Sequence, residues 1–183
     1  MRLDQSDPSR PERSPLRQRL VLLVLEPLRL TWINSLAGLP IVPAPVRYLM
    51  YRAAGFRLGT FLISPRCVFT GRRVSIGRGT FINWSCFFEG GPIEIGRDCQ
   101  IGMETMIATG SHPMEGGRAT KRHEQLGVKI GDGCWLGARV TVLPGVAIAP
   151  GTVIGAGSVV NRSIDLPGVY AGVPVHRIGD IPT

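Results

Sequence analysis

The feature that most constrains this chain is an unbroken six-residue repeat between Ile130 and Val160. Aliphatic residues recur there at every sixth position, and a small or β-branched residue follows each of the first five by four places. The aliphatic positions are Ile130, Leu136, Val142, Ile148, Ile154 and Val160, and the small positions are Cys134, Val140, Val146, Thr152 and Ser158. A period of six is too short for helical repeats or propellers, whose units span roughly 20 to 50 residues, and is typical of parallel β-helices.

Each six-residue unit would supply one short strand and one corner, so three units would complete a triangular coil. Every sixth aliphatic side chain then points inwards and stacks on its equivalent in the next turn, which buries a continuous core. Glycines suit the corners because positive φ costs them nothing. The alternative is a β-sandwich with glycine-rich turns, but its strands alternate at period two, with turns every 8 to 12 residues or so. We therefore expect a mainly β protein, a parallel β-helix of hexapeptide repeats.

The repeat extends towards the N terminus with two irregularities. The period is six from Ile76 to Phe88, and the next step, to Ile95, is seven residues, so one corner carries an extra residue. After Ile107 the next aliphatic residue in phase is Ile130, and this gap of 23 residues is not a multiple of six. A loop must leave the coil there.

This loop, at about residues 110–127, is polar and basic and contains Ser111, His112 and Pro113. A rigid coil that projects one long loop generally places function on it. We therefore expect functional residues in this segment.

The length of the chain limits the number of domains, and its charge limits the classes of binding partner. A chain of 183 residues has room for one domain and an appendage. Its net charge is +8, and residues 1–60 hold nine Arg against four acidic residues. Such asymmetry suits a membrane surface, a polyanionic substrate or nucleic acid. No nucleic-acid-binding motif accompanies it, so we expect no nucleic-acid partner.

The four cysteines do not form a metal-binding or disulfide pattern. Cys86, Cys99 and Cys134 occupy the small position of their repeat units, and Cys67 is the fourth. Buried, reduced thiols are the expected state. This usage predicts a reducing, cytoplasmic environment.

Residues 1–15 mix Arg, Asp, Ser and Pro without periodicity, and we expect a disordered basic tail there. The apolar run Leu20–Leu25 is closed by Glu26 and Pro27. It is too short for a secretory signal and far short of the ~20 residues of a membrane-spanning helix.

Residues 16–60 are predicted to form an amphipathic helical region. Apolar residues fall at helical spacing from Leu16 to Leu36, where Pro27 should force a kink or a break, and a second helix is expected over Val46–Ala54, ended by Gly55. These helices could cap the open end of the coil, which is the preferred interpretation, or contact a membrane surface through residues 16–54. The two roles are compatible, and the second would place the protein at the inner face of the membrane.

Several short motifs together resemble those of the hexapeptide-repeat O-acetyltransferases. They are Thr109-Gly110-Ser111-His112-Pro113 in the loop, then Ile130-Gly131-Asp132-Gly133-Cys134-Trp135-Leu136-Gly137, Leu143-Pro144-Gly145-Val146, Val153-Ile154-Gly155-Ala156-Gly157-Ser158-Val159-Val160 and Ala171-Gly172-Val173-Pro174. The branch is that of the maltose and galactoside acetyltransferases, with its nodulation and capsular-polysaccharide members. The resemblance covers about residues 70–178, within a predicted coil domain of residues 61–178 followed by a tail of residues 179–183.

The resemblance implies a left-handed β-helix, assembled as a homotrimer with active sites between subunits. It also implies transfer of an acetyl group from acetyl-CoA, a cosubstrate, to a saccharide hydroxyl, with no tightly bound cofactor and no metal. A sugar hydroxyl is a poor nucleophile at neutral pH, so a general base is required. The residue that matches the family's base is His112. Pro113 biases it towards extended backbone, and imidazole has the unperturbed pKa nearest to working pH. Without the resemblance, a lone loop histidine would be expected to be solvated and idle.

Two residues match the family's acceptor-binding positions. Asn83 matches an asparagine that lies beside the base across the subunit interface, although Asn can also serve a corner simply by tolerating left-handed backbone. Glu89 matches an acidic acceptor-binding residue. The galactoside enzymes also use acidic residues from an N-terminal segment that matches nothing in residues 1–60, so we expect a polymeric or lipid-linked saccharide rather than a small free sugar.

The resemblance also implies a coenzyme A site. The pantetheine arm would pass along the corner after the Trp135 strand, the adenine would lie against backbone of a later corner, and the 3′-phosphate would pair with a guanidinium, which can bind phosphate oxygens bidentately. The matching residues are Trp135, Gly137, Ala138, Ala156, Gly157 and Arg162. The glycine-rich units do not form a P-loop.

Three other functions stay open at this point. An N-acyltransferase acting on an amino or nucleotide sugar would use similar base chemistry. A metal-dependent hydratase on the same coil would need three converging histidines, but the spacing of His112, His123 and His176 does not match that family. A non-enzymatic scaffold recruited to membranes by residues 16–54 is the third.

Overall fold

The computed structural model describes residues 21–181, with side chains from Leu23 onwards. The expected disordered tail over residues 1–15 lies outside the described residues, as do residues 16–20 of the predicted helical region and the last two residues of the tail. Helix α1 is Glu26–Thr31, with π-helical turns Val21–Leu25 and Trp32–Leu36 at its two ends, and helix α2 is Ala44–Ala53.

The strands are short, and the described residues contain twenty of them. They are β1 (Arg57–Leu58), β2 (Val68–Phe69), β3 (Val74–Ile76), β4 (Phe81–Ile82), β5 (Phe87–Phe88), β6 (Ile93–Ile95), β7 (Gln100–Ile101), β8 (Met106–Ile107), β9 (Gly110–Ser111), β10 (Met114–Glu115), β11 (Arg118–Ala119), β12 (Glu124–Gln125), β13 (Val128–Ile130), β14 (Trp135–Leu136), β15 (Thr141–Val142), β16 (Ala147–Ile148), β17 (Val153–Ile154), β18 (Val159–Val160), β19 (Val169–Ala171) and β20 (His176–Gly179).

The chain visits three sheets in turn and so forms a triangular coil of about six turns. Sheet A has the order β1-β3-β6-β13-β16, sheet B the order β20-β19-β17-β14-β7-β4, and sheet C the order β18-β15-β8-β5-β2. Neighbours within these sheets are parallel except for β19 and β20, which pair antiparallel. The prediction of a parallel β-helix is therefore confirmed. Its corners form three edges, which we name A–B, B–C and C–A after the sheets that they join.

The six-residue repeat produces the inward-facing columns that it predicts. In sheet B, Ile82 pairs with Ile101, Ile101 with Leu136, and Leu136 with Ile154, and all four are buried. Sheet C carries the equivalent column from Phe69 to Val160. The coil begins earlier than the predicted residue 61, because β1 already pairs with β3 in sheet A.

The four cysteines are free and lie inside the coil, as predicted. Cys67 stacks beside Cys86 and Cys99 beside Cys134, because the strands that follow them are in register. The inner faces of the sheets surround these thiols, which therefore serve as small core side chains.

The two helices close the open end of the coil. Tyr51 and Phe56 pack edge-on against Phe69 with ring centroids 5.2 and 5.0 Å away, and Phe69 stacks on Phe88 at 4.7 Å. Gly55, with φ of +93°, ends α2 as predicted. The Phe56 N–H donates to Tyr51 O, and the Gly55 N–H donates to Arg52 O. These are the two backbone hydrogen bonds of a Schellman motif. The motif turns the chain so that Phe56 enters the core.

Two polar side chains pair with the backbone of the first coil turn, which would otherwise be an open sheet edge. The Asn34 side-chain amide donates to Phe69 O (3.0 Å) and accepts from the Phe69 N–H (2.9 Å), as a neighbouring strand would. The buried Arg47 guanidinium donates to Ile63 O in the coil and to three carbonyl oxygens between the two helices, those of Ala37, Leu39 and Val42. Unpaired backbone at a buried edge is costly, so these contacts join the helices to the coil.

The helical segment was expected to kink or break at Pro27, but helical residues continue through it. Pro27 is the second residue of α1, which follows directly on a π-helical turn, so the chain is already helical before the proline. The π-helical turn before it and the α-helical turn after it meet at Glu26. Between residues 21 and 181, no helix combines the length and the apolar content required to span a bilayer.

Candidate active site

The loop that leaves the coil is a two-part β arm on the C–A edge, between β8 of sheet C and β13 of sheet A. Its root is the antiparallel pair β9 and β12, and its tip is the hairpin of β10 and β11. Gly116 and Gly117 form the turn of the hairpin, both with positive φ, which glycine adopts without strain. His112 lies between β9 and β10, at the joint of the two parts.

The arm orients the His112 ring through a backbone carbonyl. His112 Nδ1 lies 3.2 Å from Thr120 O, and the Thr120 N–H donates to Pro113 O at 2.9 Å. A neutral imidazole that donates from Nδ1 carries its lone pair on Nε2. In a neutral ring this contact leaves Nε2 of the exposed side chain with the free lone pair.

Glu89 anchors the root of the arm. Its Oε2 accepts from the Thr109 N–H at 2.6 Å and from the Gly110 N–H at 2.7 Å. These two bonds, with a smaller contribution from the nearby His123, lower the pKa of Glu89 below its usual value. The carboxylate is thus ionised at neutral pH and holds the start of β9 in place.

Gly110 allows Glu89 and His123 to approach each other. A Cβ atom at this position would lie 2.7 Å from Glu89 Oε1 and 2.8 Å from His123 Nε2, so no other residue fits without displacing one of them. The His123 ring in turn contacts His112 edge-on, with centroids 5.3 Å apart. A carboxylate and two imidazoles therefore follow one another along the C–A edge.

A second group of predicted residues lies on the B–C edge. Backbone bonds from Asn83 N to Ile101 O and from Gly137 N to Ile154 O stack these corners in successive turns. Gly137 is so close to the next turn that a Cβ would lie 2.6 Å from Ala156 N. The predicted coenzyme residues Gly137, Ala138, Ala156 and Gly157 thus form one continuous backbone surface.

The corner does not require an asparagine at position 83 for its tolerance of left-handed backbone. The residue there with positive φ is Ser85, at 59°. Asn83 Oδ1 accepts from the Trp84 N–H at 2.8 Å, which leaves its side-chain NH₂ group as a donor at the edge.

Trp135 and Arg162 lie on different parts of the prism. The Trp135 side chain is exposed on the outer face of sheet B. Arg162 follows β18 on the C–A edge and borders two shallow hollows of about 300 and 390 Å³, near Val175 and Tyr170. It is exposed and can reach an anionic group there.

The predicted residues therefore form two half-sites within one chain. His112, Glu89 and Arg162 lie on the C–A edge, whereas Asn83 and the coenzyme backbone residues lie on the B–C edge, with sheet C between them. Thr120 and His123 were not identified from the sequence. The signal that could have found His123 is its position just before β12, which returns alongside β9 and so beside His112.

The B–C edge also exposes large apolar side chains. Trp84 and Met103 occupy its corners, and Met106 lies on the adjoining face of sheet C. For metal binding, the described residues contain no cluster of three or more His, Cys, Asp or Glu side chains suited to hold an ion.

Comparison with known proteins agrees with this architecture. Residues 127–162 match the family described as bacterial transferase hexapeptide (six repeats). The sophorolipid acetyltransferase of Starmerella bombicola is 36% identical over 124 residues, which are 67% of this chain and 48% of that protein. A maltose O-acetyltransferase from Clostridium difficile 630 superposes with a TM-score of 0.77 at 28% identity, covering 88% of this chain and 89% of that one.

A hexapeptide-repeat acetyltransferase from Vibrio cholerae O1 biovar eltor, solved with acetyl coenzyme A, superposes with a TM-score of 0.75 at 26% identity, over 93% of both chains. Three curated relatives, all named acetyltransferases and two of them provisionally, are matched over only 48%, 55% and 60% of their lengths. The chain thus has a hexapeptide-repeat coil, and over the matched parts it is similar to proteins named as acetyltransferases.

Proposed function

We propose that this protein is an acetyl-CoA-dependent O-acetyltransferase that acts on a saccharide hydroxyl, with His112 as the general base. The observation that carries the proposal is the bond from His112 Nδ1 to Thr120 O, because it leaves Nε2 free to accept a proton. The relatives named for maltose and sophorolipid favour a sugar-bearing acceptor. The acetyl coenzyme A bound in the Vibrio cholerae structure favours that donor.

The proposed reaction is a direct transfer. His112 Nε2 takes the proton of the acceptor hydroxyl while its oxygen attacks the thioester carbon, and a tetrahedral intermediate forms. The C–S bond then breaks, the acetyl ester is released, and the departing thiolate takes the proton from His112. The Thr120 carbonyl holds the Nδ1–H throughout and stabilises the transient imidazolium. The ionised Glu89 keeps the start of the arm in place beneath it.

We further propose that each active site forms between two copies of the chain in a homotrimer. The base on the C–A edge and Asn83 with the coenzyme backbone on the B–C edge cannot meet within one prism, because sheet C separates them. In a cyclic trimer the C–A edge of one copy can meet the B–C edge of the next. Trp84, Met103 and Met106, exposed on and beside that second edge, suit burial in such an interface.

The experiment is acetyl-CoA consumption against a panel of saccharides and lipid-linked glycans. His112→Ala should lower kcat by about 10²- to 10⁴-fold, the usual contribution of a general base, while fold and assembly are unchanged. Glu115→Ala, an exposed change on the same arm, is the matched control and should keep wild-type activity. Full activity in His112→Ala would refute the mechanism.

Shared sites can be tested by mixing two inactive variants. If His112→Ala and Asn83→Ala chains assemble at random, about a quarter of the interfaces receive an intact His112 from one copy and an intact Asn83 from the other. Activity should return to about that fraction of the wild-type value. No recovery from verified mixed trimers would show that the site does not lie between copies.

A further inference from the structure

The helical end of the molecule has an inner and an outer face, and only the inner one packs on the coil. Leu30, Ile33 and Ala37 point inwards and join the core. Leu25, Leu28, Trp32 and Leu36 recur at the same helical spacing on the opposite side, and all four are exposed. A helix with one apolar face in the core and another in solvent needs a second partner.

The outer apolar residues continue onto α2 and its preceding loop. Trp32 Nε1 donates to Met50 O at 3.4 Å, which joins the indole to α2, and Leu49 is exposed on that helix. In the loop, Ile41 is 85% exposed. We name this surface the N-terminal apolar face, and it consists of Leu25, Leu28, Trp32, Leu36, Leu39, Ile41, Val46 and Leu49.

The surroundings of this face are strongly basic. From Glu26 to Phe88 the chain contains eight Arg and one acidic residue, Glu26, which pairs with Arg29 and Arg72. Arg52 lies one turn after Leu49 on α2, and with Arg57 it lines a hollow of about 510 Å³. The Arg52 guanidinium is held there by Tyr48 Oη (3.2 Å) and Leu58 O (3.4 Å). Positive charge beside an apolar surface complements the phosphates and acyl chains of an anionic lipid layer.

We propose that the N-terminal apolar face docks on the surface of an anionic membrane. The leucines and Trp32 enter the boundary between headgroups and acyl chains, and Arg52 and Arg57 contact lipid phosphates. A second copy that docks through the same face is a poorer occupant, since two such faces would bring arginines of like charge together. Residues 1–20 are also a poorer occupant, because they contain few apolar residues and five Arg against three acidic residues.

This inference goes beyond the acetyl transfer and does not depend on it. Docking would fix the coil beside the lipid surface. Binding can be measured without acetyl-CoA, and His112→Ala should bind vesicles as the wild type does.

The test uses the full-length protein and co-sedimentation with vesicles of phosphatidylcholine, alone or mixed with phosphatidylglycerol. Wild type should bind the mixed vesicles more tightly, and added salt should weaken the binding. The double variant Leu28→Glu and Leu49→Glu should bind roughly a hundredfold more weakly, since each buried leucine contributes about tenfold. Arg57→Glu should lower binding roughly fivefold or more.

The matched control is Ile178→Glu on β20, because Ile178 is 59% exposed, close to the 63% of Leu28 and the 64% of Leu49. It should bind as the wild type does, and the melting temperatures of all variants should stay close to the wild-type value. Equal wild-type binding to both kinds of vesicle would overturn the proposal. So would a wild type that ignores vesicles and loses self-association with the double leucine variant, because the face would then join copies of the chain.

Discussion

The helical end and the coil carry their charges in opposite ways. Residues 21–73 hold seven Arg and one Glu, whereas residues 74–183 hold nine basic and nine acidic residues. In the coil, charges pair between successive turns, as Arg97 does with Asp132 (2.7 Å) and Arg139 with Glu104 (2.6 Å). At the helical end Glu26 pairs with Arg29 and Arg72, and the buried Arg47 bonds carbonyl oxygens, which leaves arginines in excess. The coil is therefore electrostatically self-contained, while the helical end has charge available for structural joints and for an external partner.

The largest effect is expected at Arg47, which joins the two regions. Arg47→Met would leave four carbonyl oxygens without their donor and should lower the free energy of unfolding by about 2–4 kcal/mol. Denaturant unfolding should show one transition, because the helices and the coil share a core. Arg57→Met, at an exposed position, is the control and should change stability by about 0.5 kcal/mol or less. Equal stability of the two variants, or two separate transitions, would mean that the regions are independent.

A smaller loss is expected at Asn34, which pairs with the edge of sheet C. Asn34→Ala leaves the Phe69 N–H and C=O without their partner and should cost about 1–3 kcal/mol. The neighbouring Ser35→Ala, at an exposed helical position, measures the effect of the substitution itself. If chemical denaturation gives the same midpoint and slope for both variants, the Asn34 side chain does not stabilise the contact between the helices and sheet C.

The smallest effect is expected on the pH dependence of stability, at Glu89 in the coil. The folded-state pKa of Glu89 is lowered by the Gly110 and Thr109 N–H bonds, so its stabilisation is present above the ordinary value of 4.5 and is lost as pH falls below it. The melting temperature of Glu89→Gln should therefore fall less on acidification than that of the wild type. Glu94→Gln, an exposed change on β6, should keep the wild-type pH dependence. A Glu89→Gln profile parallel to the wild type would contradict the anchoring role.

Much of the coil could be predicted because every repeat unit forms the same local structure, one strand and one corner. Ile130, Leu136 and Val142 fall on three successive sheets simply because six residues make one strand and one corner. The first turn was missed at Leu58, because the step from Leu58 to Ile63 is five residues rather than six. The helices pack against that turn and supply contacts that the repeat does not encode.

The site was predictable only in part. His112 was found through its motif, but its carbonyl partner Thr120 and its neighbour His123 depend on the antiparallel return of the arm. Sequence spacing alone did not reveal that pairing. The predicted acceptor contacts of Asn83 and Glu89 and the predicted coenzyme contacts stay predictions.

The sequence by itself determined the stacked coil, the position of the arm and the excess of arginine near the N terminus. A strict local period specifies which side chains face inwards, and charge is a property of composition. Only the tertiary structure decided that His112 and Asn83 lie on different edges and that Arg47 and Asn34 complete the first turn. It also left one helical face exposed beside Arg52. These outcomes depend on contacts between segments far apart in the chain, and no local pattern specifies them.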